Sequence, residues 1–328
     1  MKPVAMRNIA AACLLLLCAC SADGGTTPPV DDRLALSVGQ RHMNDVIDVM
    51  QANSINRLTI NWQDFRMRVL AAAAGTTSEA ATADAMRLAM QLLGDGHSFF
   101  RYANGRFVSA PLRSCNAPAV LTPVLPDDIR YVRIFALSGS AAQGNAIATA
   151  FHLQLQRSDS TPTAGWIVDL RGNTGGNMWP MLASVGPILG DGVAGHFIDP
   201  VNQTSVWAYN DGAALLDGRV FATASNPYRL RQANPRVAVL LDDLVASSGE
   251  AIAIAFKARP NTRFFGGATC GVSTGNLSHP IGTGLLVLTE VTMADRTKAP
   301  YGGRILPDEE LTGDATTARA VDWLRAGQ

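Results

Sequence analysis

The sequence predicts a layered α/β core preceded by a small helical domain, and three observations carry that expectation. From about Asp31 to Leu93 apolar residues recur at three- and four-residue spacing in RHMNDVIDVMQANS, WQDFRMRVLAAAA and SEAATADAMRLAMQLLG, the mark of amphipathic helices. From Ile129 onward short β-rich runs alternate with helical ones, as in sheets covered by helices. Two of those runs end in Gly- or Ser-containing turns that open a helix, the usual place for a site in such sheets.

Taken in order, the first element is an export signal over residues 1–20: Lys2 and Arg7, an apolar run too short to span a bilayer, then small residues. Its end, Leu17-Cys18-Ala19-Cys20, resembles the bacterial lipobox, which implies lipidation of Cys20 and a membrane anchor of two or more acyl chains. Ser21 resembles an outer-membrane sorting residue, so the expected location is the bacterial cell envelope, facing the periplasm, on the outer rather than the inner membrane. Residues 21–32, Gly- and Pro-rich and polar, suit a flexible tether. A helical domain over 33–110 follows, with Thr77 or Ser78 and the next Glu79 as a cap for its third helix. It carries the loop GDGHS. The core domain, 111–328, holds the strand candidates YVRIFAL, GWIVDL, RVAVLLDD, TRFFGG and LLVLTEVTM, with NAIATAFHLQLQ, NMWPMLASVGPIL and EAIAIAFKA as helices between them.

Composition excludes several classes. At 47% hydrophobic, 16% charged and a formal net charge of +0, the chain is an ordinary globular protein without a field to attract polyanions, so nucleic acid is not an expected partner. No His-Glu-x-x-His, paired-cysteine spacing or calcium loop occurs, and no metal or cofactor is expected. Removal of the signal at Cys20 leaves Cys115 and Cys270. An oxidising compartment favours a disulfide between them; two unpaired thiols are the alternative.

Three segments carry chemistry. In GWIVDLRGNTGGNMW an apolar strand, Trp166 to Leu170, leads into Arg171-Gly172-Asn173-Thr174-Gly175-Gly176, whose glycines let the backbone turn sharply and aim N–H groups outward, as an oxyanion needs. The bland reading is a Gly-rich connection. In RVAVLLDDLVASSGEAIAIAFKA a buried strand runs into Ser247-Ser248-Gly249 and an apolar helix from Glu250, so a serine hydroxyl sits at a helix N-terminus that favours developing negative charge. Taken alone, plain capping is the more frequent reason for a serine there. In LGDGHSFF, His97 occupies a tight loop at the edge of the helical domain, whereas His42, His152, His196 and His279 have no comparable setting.

The order of these segments, together with FFGGATCG and YGGRILPDEE further on, resembles the tricorn-core and C-terminal processing peptidases from about Trp62 to the C-terminus. The resemblance implies a crotonase-like layered core and a serine-type endopeptidase acting on peptide or protein substrates through an acyl-enzyme. It implies Ser247 as nucleophile, the N–H groups of Ser248 and Gly175 as the oxyanion hole, and Glu250 and Arg171 in supporting roles. Processing peptidases place a lysine base twenty-five positions after the serine; here that position is Val272, and Lys257 and Lys298 lie in no comparable turn. The histidine branch fits instead, with His97 as the base that a serine hydroxyl requires.

An acid should orient that base. The position where the tricorn-like branch has Glu is Tyr301, which leaves Asp295, Glu290 and Asp308 as candidates, Asp295 preferred. Only about thirty residues separate His97 from Tyr131, too few for the PDZ module of processing peptidases. The rival from another class is a catalytically decayed peptide- or ligand-binding lipoprotein of the same fold.

Overall fold

The computed structural model describes residues 36–111, 113–159 and 163–327; the export signal, Cys20, Ser21 and the tether lie outside the described residues. Ser37–Gln328 forms one compact unit. It begins with helices α1 (Val38–Asn53), α2 (Trp62–Ala72) and α3 (Ala83–Leu93). Ser37 opens α1 with a reciprocal cap, its hydroxyl accepting from Gln40 N–H at 3.2 Å while Gln40 Oε1 accepts from Ser37 N–H at 3.0 Å. Ser78 caps the short 3₁₀ turn Glu79–Thr82 ahead of α3, and Gly94 ends α3 in the left-handed region at φ +69°.

Met43, Val46, Ile47 and Met50 on α1, and Met86, Ala89, Met90 and Leu93 on α3, are fully or almost fully buried at the spacing the sequence shows. They close on strands β1 (Phe99–Arg101) and β2 (Phe107–Ser109) and on Leu286 and Leu288 from late in the chain. The rest runs β3 (Ile129–Arg133), α4 (Ala141–Ser158), β4 (Gly165–Asp169), α5 (Met178–Leu189), β5 (Gly192–Ile198), β6 (Thr204–Asn210), β7 (Ala213–Leu216) and β8 (Arg219–Thr223). Then come β9 (Val237–Leu241), α6 (Ser248–Phe256), β10 (Thr262–Gly266), β11 (Thr274–Ile281), β12 (Gly284–Asp295), β13 (Glu309–Glu310) and α7 (Asp314–Arg325).

Two sheets result. One is wholly parallel, in the order β13-β10-β9-β4-β3. Its central strands are buried at every residue because both faces are covered, which is why GWIVD and VAVLL read as unbroken apolar runs. Trp166, Val168, Val237 and Val239 face the cluster built with α4, α5 and α6, and the alternate residues Ile167, Ala238 and Leu240 face Ala320, Val321 and Leu324 of α7. The other sheet is antiparallel, β2-β1-β12-β5-β6-β7-β8, with β11 also paired to β12. Through β1, the segment that follows the helices becomes part of this sheet: Phe99 stands opposite Val287.

The run YVRIFAL divides. β3 ends at Arg133, and Leu137 leaves the sheet to bond the glycine loop, its N–H donating to Gly175 O and its C=O accepting from Asn177 N–H. For the site, the decisive feature is that β4, β9 and β10 are consecutive parallel neighbours, so the loops at their C-terminal ends lie side by side.

Candidate active site

The loop after β4 is fixed by Asn173, whose buried side chain donates to Ile134 O at 3.1 Å and accepts from Gly175 N–H at 3.0 Å, while its own C=O accepts from Ala246 N–H. Gly175 has φ +103°, and a Cβ placed there would come within 2.9 Å of Ala246 O and of Ser247 Cβ. Only glycine allows that approach. Arg171 bonds Asp169 through Nε at 2.9 Å and a terminal nitrogen at 2.6 Å, and Tyr131 OH donates to the same carboxylate at 2.9 Å. Arg171 therefore braces the strand end.

Beside this loop, β9 ends in the turn that presents Ser247. Ser247 is non-glycine at φ +53°, a strained conformation for an L-residue and one found at functional turns. Glu250, fully buried, holds the strain in place. Its Oε2 accepts from Ser247 N–H at 3.0 Å and Val272 N–H at 2.9 Å, and its Oε1 from Gly271 N–H at 2.9 Å and the Thr269 hydroxyl at 2.5 Å. Burial raises the Glu250 carboxyl above its usual range against the pull of these donors. One carboxylate thus ties the serine turn to the loop after β10.

Ser248 joins the serine turn to the glycine loop, its hydroxyl donating to Gly176 O at 2.6 Å. As the first residue of α6 it has an N–H with no acceptor among the described residues, as any residue at a helix start does. The expectation for Gly175 needs correction. Its N–H is already given to Asn173 Oδ1, so Gly175 supplies close approach, and the neighbouring N–H without an acceptor among the described residues is that of Gly176.

His97 arrives from the other side. Asp95 Oδ1 accepts from the N–H groups of His97 and Ser98 at 2.9 and 2.7 Å, and Asp95 Oδ2 from the Ser98 hydroxyl at 2.7 Å. Asn276 Nδ2 donates to His97 O at 3.1 Å. The ring's Nδ1 lies 2.8 Å from Thr274 Oγ1, at the start of β11 and two residues beyond Val272. Ser247 and His97 are therefore attached to the two ends of one short stretch, 272–274. Burial lowers the His97 pKa below the ordinary imidazole value, with Asp95 opposing, so the ring is neutral at pH 7.

No expected acid touches that ring. Asp295 Oδ1 closes its own turn, accepting from Thr297 N–H, the Thr297 hydroxyl and Ala299 N–H at 2.8, 2.6 and 3.1 Å, and Tyr301 OH donates to Oδ2 at 3.3 Å. Glu290 pairs with His279, and Asp308 Oδ2 accepts from Phe264 N–H at 2.8 Å. Thr274 carries no charge, and its one signal in the sequence is a β-branched hydroxyl residue three positions beyond GGATCG. Cys115 and Cys270 form a disulfide, Cα to Cα 5.6 Å, joining the segment before β3 to the loop that Glu250 holds.

The strained serine turn against the glycine loop, with the His97 loop docked on the stretch that Glu250 holds, places a candidate site at the C-terminal ends of the parallel strands of a layered α/β fold. The sequence profile of peptidase family S41 matches residues 128–311, and the chain belongs to that family. It is 24% identical over 266 residues to the nisin-resistance protein of Lactococcus lactis subsp. lactis, covering 81% of this chain and 80% of that one. Its fold is similar to that of a lipoprotein from Streptococcus agalactiae, with TM-score 0.69, 21% identity, and 88% of this chain and 96% of that chain covered. The photosystem II D1 C-terminal processing protease gives TM-score 0.55 at 14% identity, covering 87% of this chain and 97% of its own.

Proposed function

We propose that the chain is a serine endopeptidase in which His97 Nε2 takes the proton of Ser247 as its oxygen attacks a peptide carbonyl. The Ser248 N–H and the Gly175–Gly176 loop flank the developing oxyanion. The tetrahedral adduct collapses as His97 returns the proton to the leaving amine, and water then releases the acyl group by the same route. The observation that carries this reading is the strained Ser247 turn, pressed against Gly175 and tied by Glu250 to the stretch on which His97 docks. The name of the L. lactis relative makes nisin the first peptide to try as substrate. Anchoring through Cys20 on the periplasmic side of the outer membrane would place the enzyme where such peptides arrive.

The test is labelling of cells with a fluorophosphonate followed by fractionation. The wild-type chain should label and travel with the outer membrane, and Ser247→Ala should lose both labelling and peptide cleavage. Labelling retained by Ser247→Ala removes the assignment, and label in the soluble fraction removes the anchor. One observation favours the second reading, a peptide-binding lipoprotein with a decayed triad: His97 meets a hydroxyl where related enzymes are expected to place an acid. A folded wild-type chain that binds peptide and never labels would establish it.

A further inference from the structure

We propose that Thr274 is the positioning residue for His97, so that the site operates as Ser247–His97–Thr274 with an uncharged orienting group; this rests on the peptidase reading above. Thr274 is almost fully buried, its N–H donates to Val272 O at 2.8 Å, and it opens β11 opposite Thr292. Its β-branched side chain has little rotamer freedom, so Oγ1 is a fixed point 2.8 Å from His97 Nδ1.

The main chain of His97 is already held at both ends by Asp95 and Asn276. What remains free is the orientation of the ring, and the Thr274 contact removes that freedom. With Nδ1–H donating to Oγ1, the Nε2 lone pair is left to accept the serine proton; the opposite tautomer would offer Ser247 a donor.

Among the described residues no charged group competes for this role. Asp95 is the carboxylate whose charge acts on the ring, but its oxygens are given to the N–H groups of His97 and Ser98 and to the Ser98 hydroxyl. Glu250, on α6, is filled by donors from its own turn and the loop after β10. Asp295, Glu290 and Asp308 are engaged elsewhere. A hydroxyl orients as a carboxylate does but stabilises the imidazolium less. The expected enzyme keeps its base unprotonated into mild acid and works more slowly than one with a full triad.

The experiment measures the rate of fluorophosphonate labelling of Ser247 against pH, in the full chain in detergent, for wild type and three variants. Wild type should label with an inflection below the ordinary histidine value of about 6.5. Thr274→Val, the same shape without the hydroxyl, should be at least about tenfold slower, and Thr274→Ser should recover to within about threefold. Thr274→Asp should move the inflection up by about a unit or more. Long-range proton–nitrogen spectra, assigned with His97→Asn, should show the Nδ1–H tautomer in wild type and lose it in Thr274→Val.

Thr274→Val labelling at the wild-type rate with an unmoved inflection overturns the proposal and leaves the peptidase reading standing. A Thr274→Ser variant as slow as Thr274→Val, with the tautomer unchanged in both, overturns it equally, because the residue would then be structural. A folded wild type that never labels removes the peptidase reading and this inference with it.

Discussion

Ser247 and His97 are held in place by different means. The serine sits on a sheet buried on both faces and is locked by one buried carboxylate with four donors. The histidine sits on a loop between a helix and an edge hairpin and is held by Asp95, Asn276 and Thr274, with Ser98 and Thr289 behind them. A single buried carboxylate fixes Ser247; a less buried one, Asp95, with a relay of amides and hydroxyls fixes His97. The contrast predicts that damage on the serine side appears as lost stability, whereas damage on the histidine side appears first as lost rate.

The largest effect expected from breaking this contrast is at Glu250. Glu250→Ala strands the N–H groups of Ser247, Gly271 and Val272 and the Thr269 hydroxyl. At roughly 1 kcal/mol or more for each buried donor, the loss is about 4 kcal/mol, to be read as a fall in denaturant midpoint at unchanged slope. A loss below about 1 kcal/mol would mean that the carboxylate is not what holds the serine turn.

A smaller effect is expected at the disulfide, also on the serine side. Cys115 lies in a segment that, among the described residues, has no helix or strand between Ser109 and Ile129; it is tied down by the bridge and by Asn116 N–H donating to Asp243 Oδ2 at 3.0 Å. Native bridges typically contribute about 2–4 kcal/mol, so about 3 kcal/mol is expected here, below the roughly 5 kcal/mol that restriction of the unfolded chain alone would give for a separation of 155 residues. Replacing both cysteines by serine should lower the melting temperature by several degrees while leaving the labelling rate at 25 °C within about twofold. A large loss of rate at unchanged stability would instead place the bridge in the catalytic geometry.

The same contrast decides how much of the molecule was legible in the sequence. The serine side was legible because its signals are local: unbroken apolar runs for doubly buried strands, glycines where φ is positive, and Ser-x-x-Glu at a helix start. The three N-terminal helices were legible for the same reason, through their periodicity, although Ser78 caps the 3₁₀ turn ahead of α3 and not α3 itself. Thr274 was not, because it reaches His97 across 177 residues and a threonine announces no charge. Asp295 drew attention as a strand-end carboxylate, yet its geometry is consumed within five residues of itself by Thr297 and Ala299. The meander β5–β8 was missed because its strands are short, partly exposed and broken by glycine and polar turns, which leaves neither a clean alternation nor an apolar run.

The smallest effect tests the helical segment that carries the histidine loop. His42 on α1 is buried with its ring edge-on to Phe100 at 5.6 Å, and its Nε2 has no partner among the described residues. Burial lowers its pKa, against the raising influence of Glu79 and Asp45. Below about pH 6.5 the unfolded chain therefore takes a proton that the folded chain refuses, and stability falls with acid until the folded ring itself titrates. His42→Leu keeps the apolar volume and removes the proton site. The variant should lie within about 1 kcal/mol of wild type at pH 7.5 and gain on it toward pH 5, by up to about 1.4 kcal/mol for each pKa unit by which the ring is depressed. His97 and His152 are lowered by burial too, but they are common to both proteins and cancel in the difference. Denaturant midpoints that run parallel for the two proteins between pH 7.5 and 5 would show that His42 is not buried as a neutral ring, and the helical segment would then hold its loop without this acid weakness.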